Sequence, residues 1–240
     1  SIKETREYMD ALYQIRVKCP CCEQTFQTSR VRPSFQKTVS RDSDFCLHYR
    51  ENAANPDYYV VRVCPYCGFA FTENSVKKLT EPQRKIIMEK VTSQWKFKDY
   101  GGVRTWEDAL YTYKMAVACG QLIQEKERVM AGLLHHIAWL YRYKNDEAQE
   151  KRFLELALNA YTRVYETESD SLDNARLMYL LGELNRRLKR YPEAIKWFGR
   201  VINDKKIMDS AMIQASRAQW AVTREDMLAE NQELPPEMQA

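Results

Sequence analysis

One eight-residue phrase occurs twice in this chain, as "CPCCEQTF" from Cys19 and as "CPYCGFAF" from Cys64. In register, Cys19 matches Cys64, Pro20 matches Pro65, Cys22 matches Cys67 and Phe26 matches Phe71. Each CxxC turn aims two thiolates and several backbone amides at one point, and two such turns complete a tetrahedron around a metal ion. No other feature constrains the fold as much, because two turns separated by the 41 residues between Cys22 and Cys64 must meet in space. That separation is longer than in common ribbons. Pro20 and Pro65 stiffen the turns, and Gly68 follows Cys67 as such knuckles prefer, although Glu23 stands in the matching place of the first. Cys19, Cys22, Cys64 and Cys67 are therefore the expected ligands, and Zn2+ the expected cofactor. Four thiolates leave no open position for water, so the role is structural, and such sites contribute about 10 to 16 kcal/mol of binding energy in small zinc peptides.

The remaining thiols have blander readings. Cys21 faces away from an ion held by Cys19 and Cys22, and is a spectator. Cys46 and His48, in "DFCLHY", form a rival Cys-x-His pair, but Cys46 reads better as a small buried hydrophobe, since four thiolates already saturate the site. Six of the seven cysteines precede residue 68, and the first residues, "SIKETREYMD", have no apolar core of a secretory signal. Reduced thiols or metal ligands in the cytoplasm are expected, not a disulfide framework. No stretch approaches the ~18 apolar residues of a membrane span, so no membrane association is expected. With 37 basic and 33 acidic residues the net charge is +4, too small to demand a nucleic-acid partner.

The expected fold class is α+β, mostly α, in two parts. Residues 1–78 form a small zinc-ribbon-like, β-rich domain, with "YQIRVKC" and "YYVVRVC" running short strands into the turns and one or two more strands between them. Residues 79–240 form a tetratricopeptide-like array of α-helical hairpins. Thr80, Pro82 and Gln83 mark the start of a helix through "EPQRKIIMEKVTSQWKF", Gly101 and Gly102 break it, and Thr105 with Asp108 starts the next. Three later segments share a small residue, an aromatic four places on and an apolar residue three beyond that: Ala109/Tyr113/Ala116, Ala157/Tyr161/Val164 and Ala194/Phe198/Val201. The spacing sets small against large on one helical face. The unit "ARLMYLLGELNRRLKRYPEAIKWFGRVIND" resembles a tetratricopeptide repeat best, and "SAMIQASRAQWAVTREDML" follows as a closing helix.

In that unit, Arg176, Tyr179, Glu183, Arg186 and Arg187 are the candidate partner-binding groove, where basic side chains hold an acidic peptide or a terminal carboxylate. The simpler reading of Arg186 and Arg187 is favourable placement of cations near a helix C-terminus. Adjacent His135 and His136 face different sides of a helix and cannot form an i, i+4 metal pair, so one is expected in the core and one at the surface. No Gly-rich phosphate loop, serine elbow or HExxH is present.

The double CxxC segment, with "RDSDFC" and "NPDYYVVRVCPYCG", resembles an uncharacterised cytoplasmic protein family of Gram-positive bacteria, classed as a domain of unknown function. Asp42, Asp44, Phe45, Cys46, Asn55, Pro56 and Tyr59 carry the resemblance together with the CxxC turns. It implies a zinc-ribbon-like front end and an interaction-type helical array, and no activity. The expectation is a non-enzymatic adaptor or regulatory scaffold that binds a protein or peptide through its helices. The alternatives are a nucleic-acid-binding zinc ribbon using Arg30, Arg32, Lys37, Arg41 and Arg62, and a rubredoxin-like iron electron carrier. Nearby Asp42, Asp44, Glu51 and Asp57 dilute the first, and the long helical region argues against the second.

Overall fold

A computed structural model describes residues 1–168 and 174–239. It is mostly helical, with eight α-helices and three small antiparallel strand pairs among those residues. Helix α1 (Ile2–Asp10) opens with a Ser1–Glu4 capping box and leads into strand β1 (Leu12–Lys18), which pairs with β2 (Thr25–Val31). The first CxxC turn joins them. Strands β3 (Thr38–Arg41) and β4 (Leu47–Tyr49) form a second hairpin whose tip is residues 42–46. Strands β5 (Arg62–Val63) and β6 (Ala70–Phe71) bracket the second CxxC turn. β5 is shorter than "YYVVRVC" suggests, because Pro56 starts a 3-10 turn that takes up Tyr58 and Tyr59.

Helix α2 (Glu81–Lys90) has the Thr80–Gln83 capping box and a first-turn proline. It ends well before the glycines expected to break it. A 3-10 turn over Thr92–Gln94 follows, and Trp95 is drawn off the helical path to donate its indole N–H to Pro65 O at 2.8 Å. Helix α3 (Trp106–Ile123) starts at the Thr105–Asp108 capping box. Then come α4 (Glu127–Tyr143), α5 (Glu147–Thr167), α6 (Ala175–Arg187), α7 (Tyr191–Asn203) and α8 (Ser210–Ala229), each packed on the one before. The three-residue links 144–146 and 188–190 make α4–α5 and α6–α7 antiparallel hairpins.

The small-against-large pattern is visible in this packing. Ala109, Tyr113, Ala157, Val164, Ala194, Phe198 and Val201 are all fully buried. Gly182 of α6 lies so close to Phe198 of α7 that a Cβ there would stand 2.6 Å from the ring. One hydrophobic cluster takes in Cys19, Cys64, Cys67, Phe69 and Phe71 from the front of the chain together with Ile87, Tyr113, Ile137 and Leu181 from the helices. At about 1.5–3 kcal/mol for each large apolar side chain buried, this shared core gives the four-cysteine region a substantial hydrophobic backing.

Candidate metal centre and helical groove

The two CxxC turns close in the same way. Cys19 N–H donates to Gln24 O at 2.9 Å and Glu23 N–H to Cys19 O at 3.0 Å; Cys64 N–H donates to Phe69 O at 3.0 Å and Gly68 N–H to Cys64 O at 2.9 Å. Both turns need a left-handed residue in the fifth place, supplied by Gly68 at φ 79° and by Glu23 at φ 64°. A side chain is costlier there than glycine. Glu23 partly offsets that cost by lying 3.6–3.9 Å from Lys18, Lys78 and Arg84. The matched phenylalanines Phe26 and Phe71 meet edge to face, with centroids 6.1 Å apart.

The Sγ atoms of Cys19, Cys22, Cys64 and Cys67 all lie within 4.8 Å of one another. The Cys19–Cys67 and Cys22–Cys64 pairs are each 3.6 Å apart. A tetrahedral tetrathiolate with bonds of about 2.3 Å sets its sulfurs about 3.8 Å apart, so the donor set fits a metal ion. A disulfide, at about 2.05 Å, is not formed, and all seven cysteines are free thiols. Hydrogen bonds from Cys19 and then Cys67 hold the Cys64 thiol well below its ordinary value, whereas burial pushes Cys22 up. A cation at the centre would favour the thiolate form of all four. Cys21 is buried but not among the four; its backbone N–H reaches Cys19 Sγ at 3.4 Å.

Residues 79–95 strap both turns, which the sequence alone did not reveal. Leu79 N–H donates to Pro20 O at 3.0 Å and Arg84 Nε to Cys21 O at 2.8 Å, while Thr92 Oγ1 donates to Cys67 O at 2.8 Å. Trp95 completes the strap across Gly68, where a Cβ would stand 2.7 Å from the indole.

The five groove candidates are brought together, and what they enclose is the chain's own β3–β4 tip. Tyr179 donates its hydroxyl to Ser43 O at 2.5 Å and packs against Phe45 with the rings tilted by 45° and centroids 5.5 Å apart. Arg176 lies 4.0 Å over the Phe45 ring. Glu183, fully buried, accepts from Ser43 Oγ and from both Arg186 and Arg187, and Arg187 Nη2 also reaches Ser43 Oγ at 3.0 Å. Arg186 turns to Asp226 of α8 at 2.9 Å.

Asp44 is the centre of this contact. It is fully buried, gripped by Arg142 through both oxygens at 2.7 and 2.9 Å, and bonded to His135 Nε2 at 2.9 Å and Trp139 Nε1 at 3.0 Å. Burial alone would raise its carboxyl, but the hydrogen bonds from His135 and Arg142 outweigh that and hold it well below the ordinary range. Burial lowers His135, whose Nε2 faces Asp44 and whose Nδ1 lies 3.0 Å from the Tyr161 hydroxyl. His135 is thus in the core, whereas His136 is half-buried and stacks on Tyr113.

Asp42, Cys46 and His48 form a second group whose potential ligand atoms lie within 4.8 Å. His48 Nε2 is 2.7 Å from Asp42 Oδ2, and Arg142 Nη1 approaches the same oxygen at 3.0 Å. That guanidinium already supplies the positive charge a cation would bring. Cys46 is fully buried and near the Tyr143 hydroxyl at 3.5 Å, and burial pushes its thiol up to about 12. It behaves as a small hydrophobe.

Fold and site together define a class of protein: a small β-containing head with a four-cysteine centre able to hold a metal ion, packed on a succession of α-hairpins. Residues 12–223 match the model of a family described as "Uncharacterized protein conserved in bacteria (DUF2225)", and the chain belongs to that family. No curated protein and no solved structure matches it. None of the described helices is long and apolar enough to cross a membrane.

Proposed function

We propose that this chain is a non-catalytic, zinc-stabilised interaction protein of the bacterial cytoplasm, an adaptor or regulatory scaffold. Zn2+ on Cys19, Cys22, Cys64 and Cys67 holds a zinc-ribbon-like head, and a tetratricopeptide-like array binds a protein or peptide partner. The observation that supports this reading best is the groove itself: Arg176, Tyr179, Glu183 and Arg187 all converge on Ser43–Phe45. Their chemistry is that of a receptor for a short acidic and aromatic segment.

The inner part of that receptor is taken by the chain's own loop, and the grip on Asp44 makes its displacement costly. The rim is the accessible part. Arg176 is exposed, and a cavity of about 320 Å³ opens beside it, lined in part by Phe45, Tyr161 and Trp139. An acidic partner segment would pair with Arg176 and lay an apolar side chain in that opening.

Crosslinked capture from the native host, with the wild-type chain and with Arg176→Glu, tests this reading. The charge reversal is expected to lose the partner while metal content and folding are unchanged. Identical capture by the two chains would contradict it. An iron-loaded carrier would be red, and the purified protein is expected to be colourless. The nucleic-acid alternative is weakened by how its cations are used: Arg32 lies over the Tyr13 ring at 5.4 Å, Arg41 over Phe45 at 4.7 Å, and Arg30 pairs with Glu73.

A further inference from the structure

A second cavity, of about 740 Å³, lies between the β1–β2 hairpin and α4. None of the four cysteines lines it, and it takes a different row of α4 from the one that grips Asp44. Its size is within the range of small-molecule sites, about 300–1,000 Å³. Arg30, Arg62, Lys126 and Arg128 line it, against one carboxylate, Glu73.

That carboxylate is shared, 2.5 Å from Arg30 and 3.8 Å from Arg62. Arg128 pairs with Glu168, 3.1 Å away, while Lys126 forms no ion pair among the described residues. Positive side chains are therefore in surplus along this wall, and Arg62, 15 % exposed, is partly removed from water. The start of α4 adds little to it, because Glu125 Oε1 already accepts from the Lys126 backbone N–H at 3.0 Å and Glu127 stands in the first turn.

A further polar group at the cavity lacks a partner. Thr28 of β2 is 2 % exposed, lines the cavity, and its hydroxyl makes no hydrogen bond. Buried hydroxyls are normally paired, so an orphan beside a cationic cavity points to an absent acceptor. Apolar walls, from Val31, Val60 and Leu133, leave room for more than a bare ion.

We propose that this cavity binds a small organic phosphate of nucleotide size, its phosphates held by the side chains of Arg62 and Lys126, and its body resting on the apolar wall. The site goes beyond the interaction role. Because its walls come from both the β-hairpin and α4, a bound ligand braces the head against the helices.

Isothermal titration of the intact, metal-loaded chain at low salt with ATP, ADP and inorganic phosphate tests the site. ATP and ADP are expected to bind, and inorganic phosphate to bind at least ~10-fold more weakly. The double variant Arg62→Gln, Lys126→Gln is expected to lose ~10-fold or more in nucleotide affinity, the scale of one charge-assisted hydrogen bond or more. Thr28→Val, which removes the orphan hydroxyl without changing shape, is expected to leave the melting temperature of the free chain the same or higher and to reduce the ATP-induced rise. The proposal is overturned if neither nucleotide binds the wild type, or if the double variant binds ATP as the wild type does. It also falls if a short single-stranded RNA binds more tightly than either nucleotide, which would make the cavity part of a nucleic-acid surface.

Discussion

Asp44 shows how one side chain organises the centre of this molecule. A carboxylate with no exposed surface is tolerated because Arg142, His135 and Trp139 surround it and Arg187 stands 3.7 Å away. Removing one partner of such a buried cluster is expected to cost about 3–5 kcal/mol. Asp44→Asn keeps the shape and removes the charge, and Arg142 retains Asp42 and Glu150 as partners, so the lower end, about 3 kcal/mol, is the expected loss in urea unfolding. A loss below about 1 kcal/mol would show that the cluster does not anchor the loop. The contrast with the thiols explains what a sequence displays. Cys19, Cys22, Cys64 and Cys67 could be picked out because each pair is local and the phrase is repeated. The partners of Asp44 lie 91 or more residues away, and no local pattern announces them. The one available signal was composition: an acidic "RDSD" opposite an arginine-rich helix.

At the scale of elements, helix starts were legible and helix ends were not. The Thr80–Gln83 and Thr105–Asp108 capping boxes are short-range chemistry and stand where their residues predict. The early end of α2 follows from a long-range preference, Trp95 leaving the helix to cover Gly68 and bond Pro65. The pairing of α6 with α7 was visible in the spacing of Ala194 and Phe198, and Gly182 completes it. Two effects compete at that glycine. Alanine is better than glycine inside a helix by about 1 kcal/mol, but a methyl 2.6 Å from the Phe198 ring must push it aside, and overpacking costs about 1–3 kcal/mol. Since the ring is fully buried and has little room to yield, Gly182→Ala is expected to destabilise by about 1 kcal/mol net, read as a lower melting temperature. A raised melting temperature would mean that the α6–α7 seam is looser than the contact implies.

On the scale of the whole molecule, the front and the helices hold each other in three places. The strap over residues 79–95 bonds to both cysteine turns, the 42–46 loop is gripped by α4 and α6, and one hydrophobic cluster passes between them. None of these could be read from the repeat pattern, because each is a contact between segments that look self-sufficient in sequence. The metal remains the keystone of the account: four sulfurs within 4.8 Å, in turns shaped alike, are expected to hold one zinc ion. X-ray absorption at the zinc edge, with metal analysis of the same freshly purified protein, tests this directly. The account predicts one zinc per chain surrounded by four sulfurs at about 2.3 Å. Protein that is folded yet metal-free, or a zinc shell with nitrogen or oxygen in place of sulfur, would contradict it.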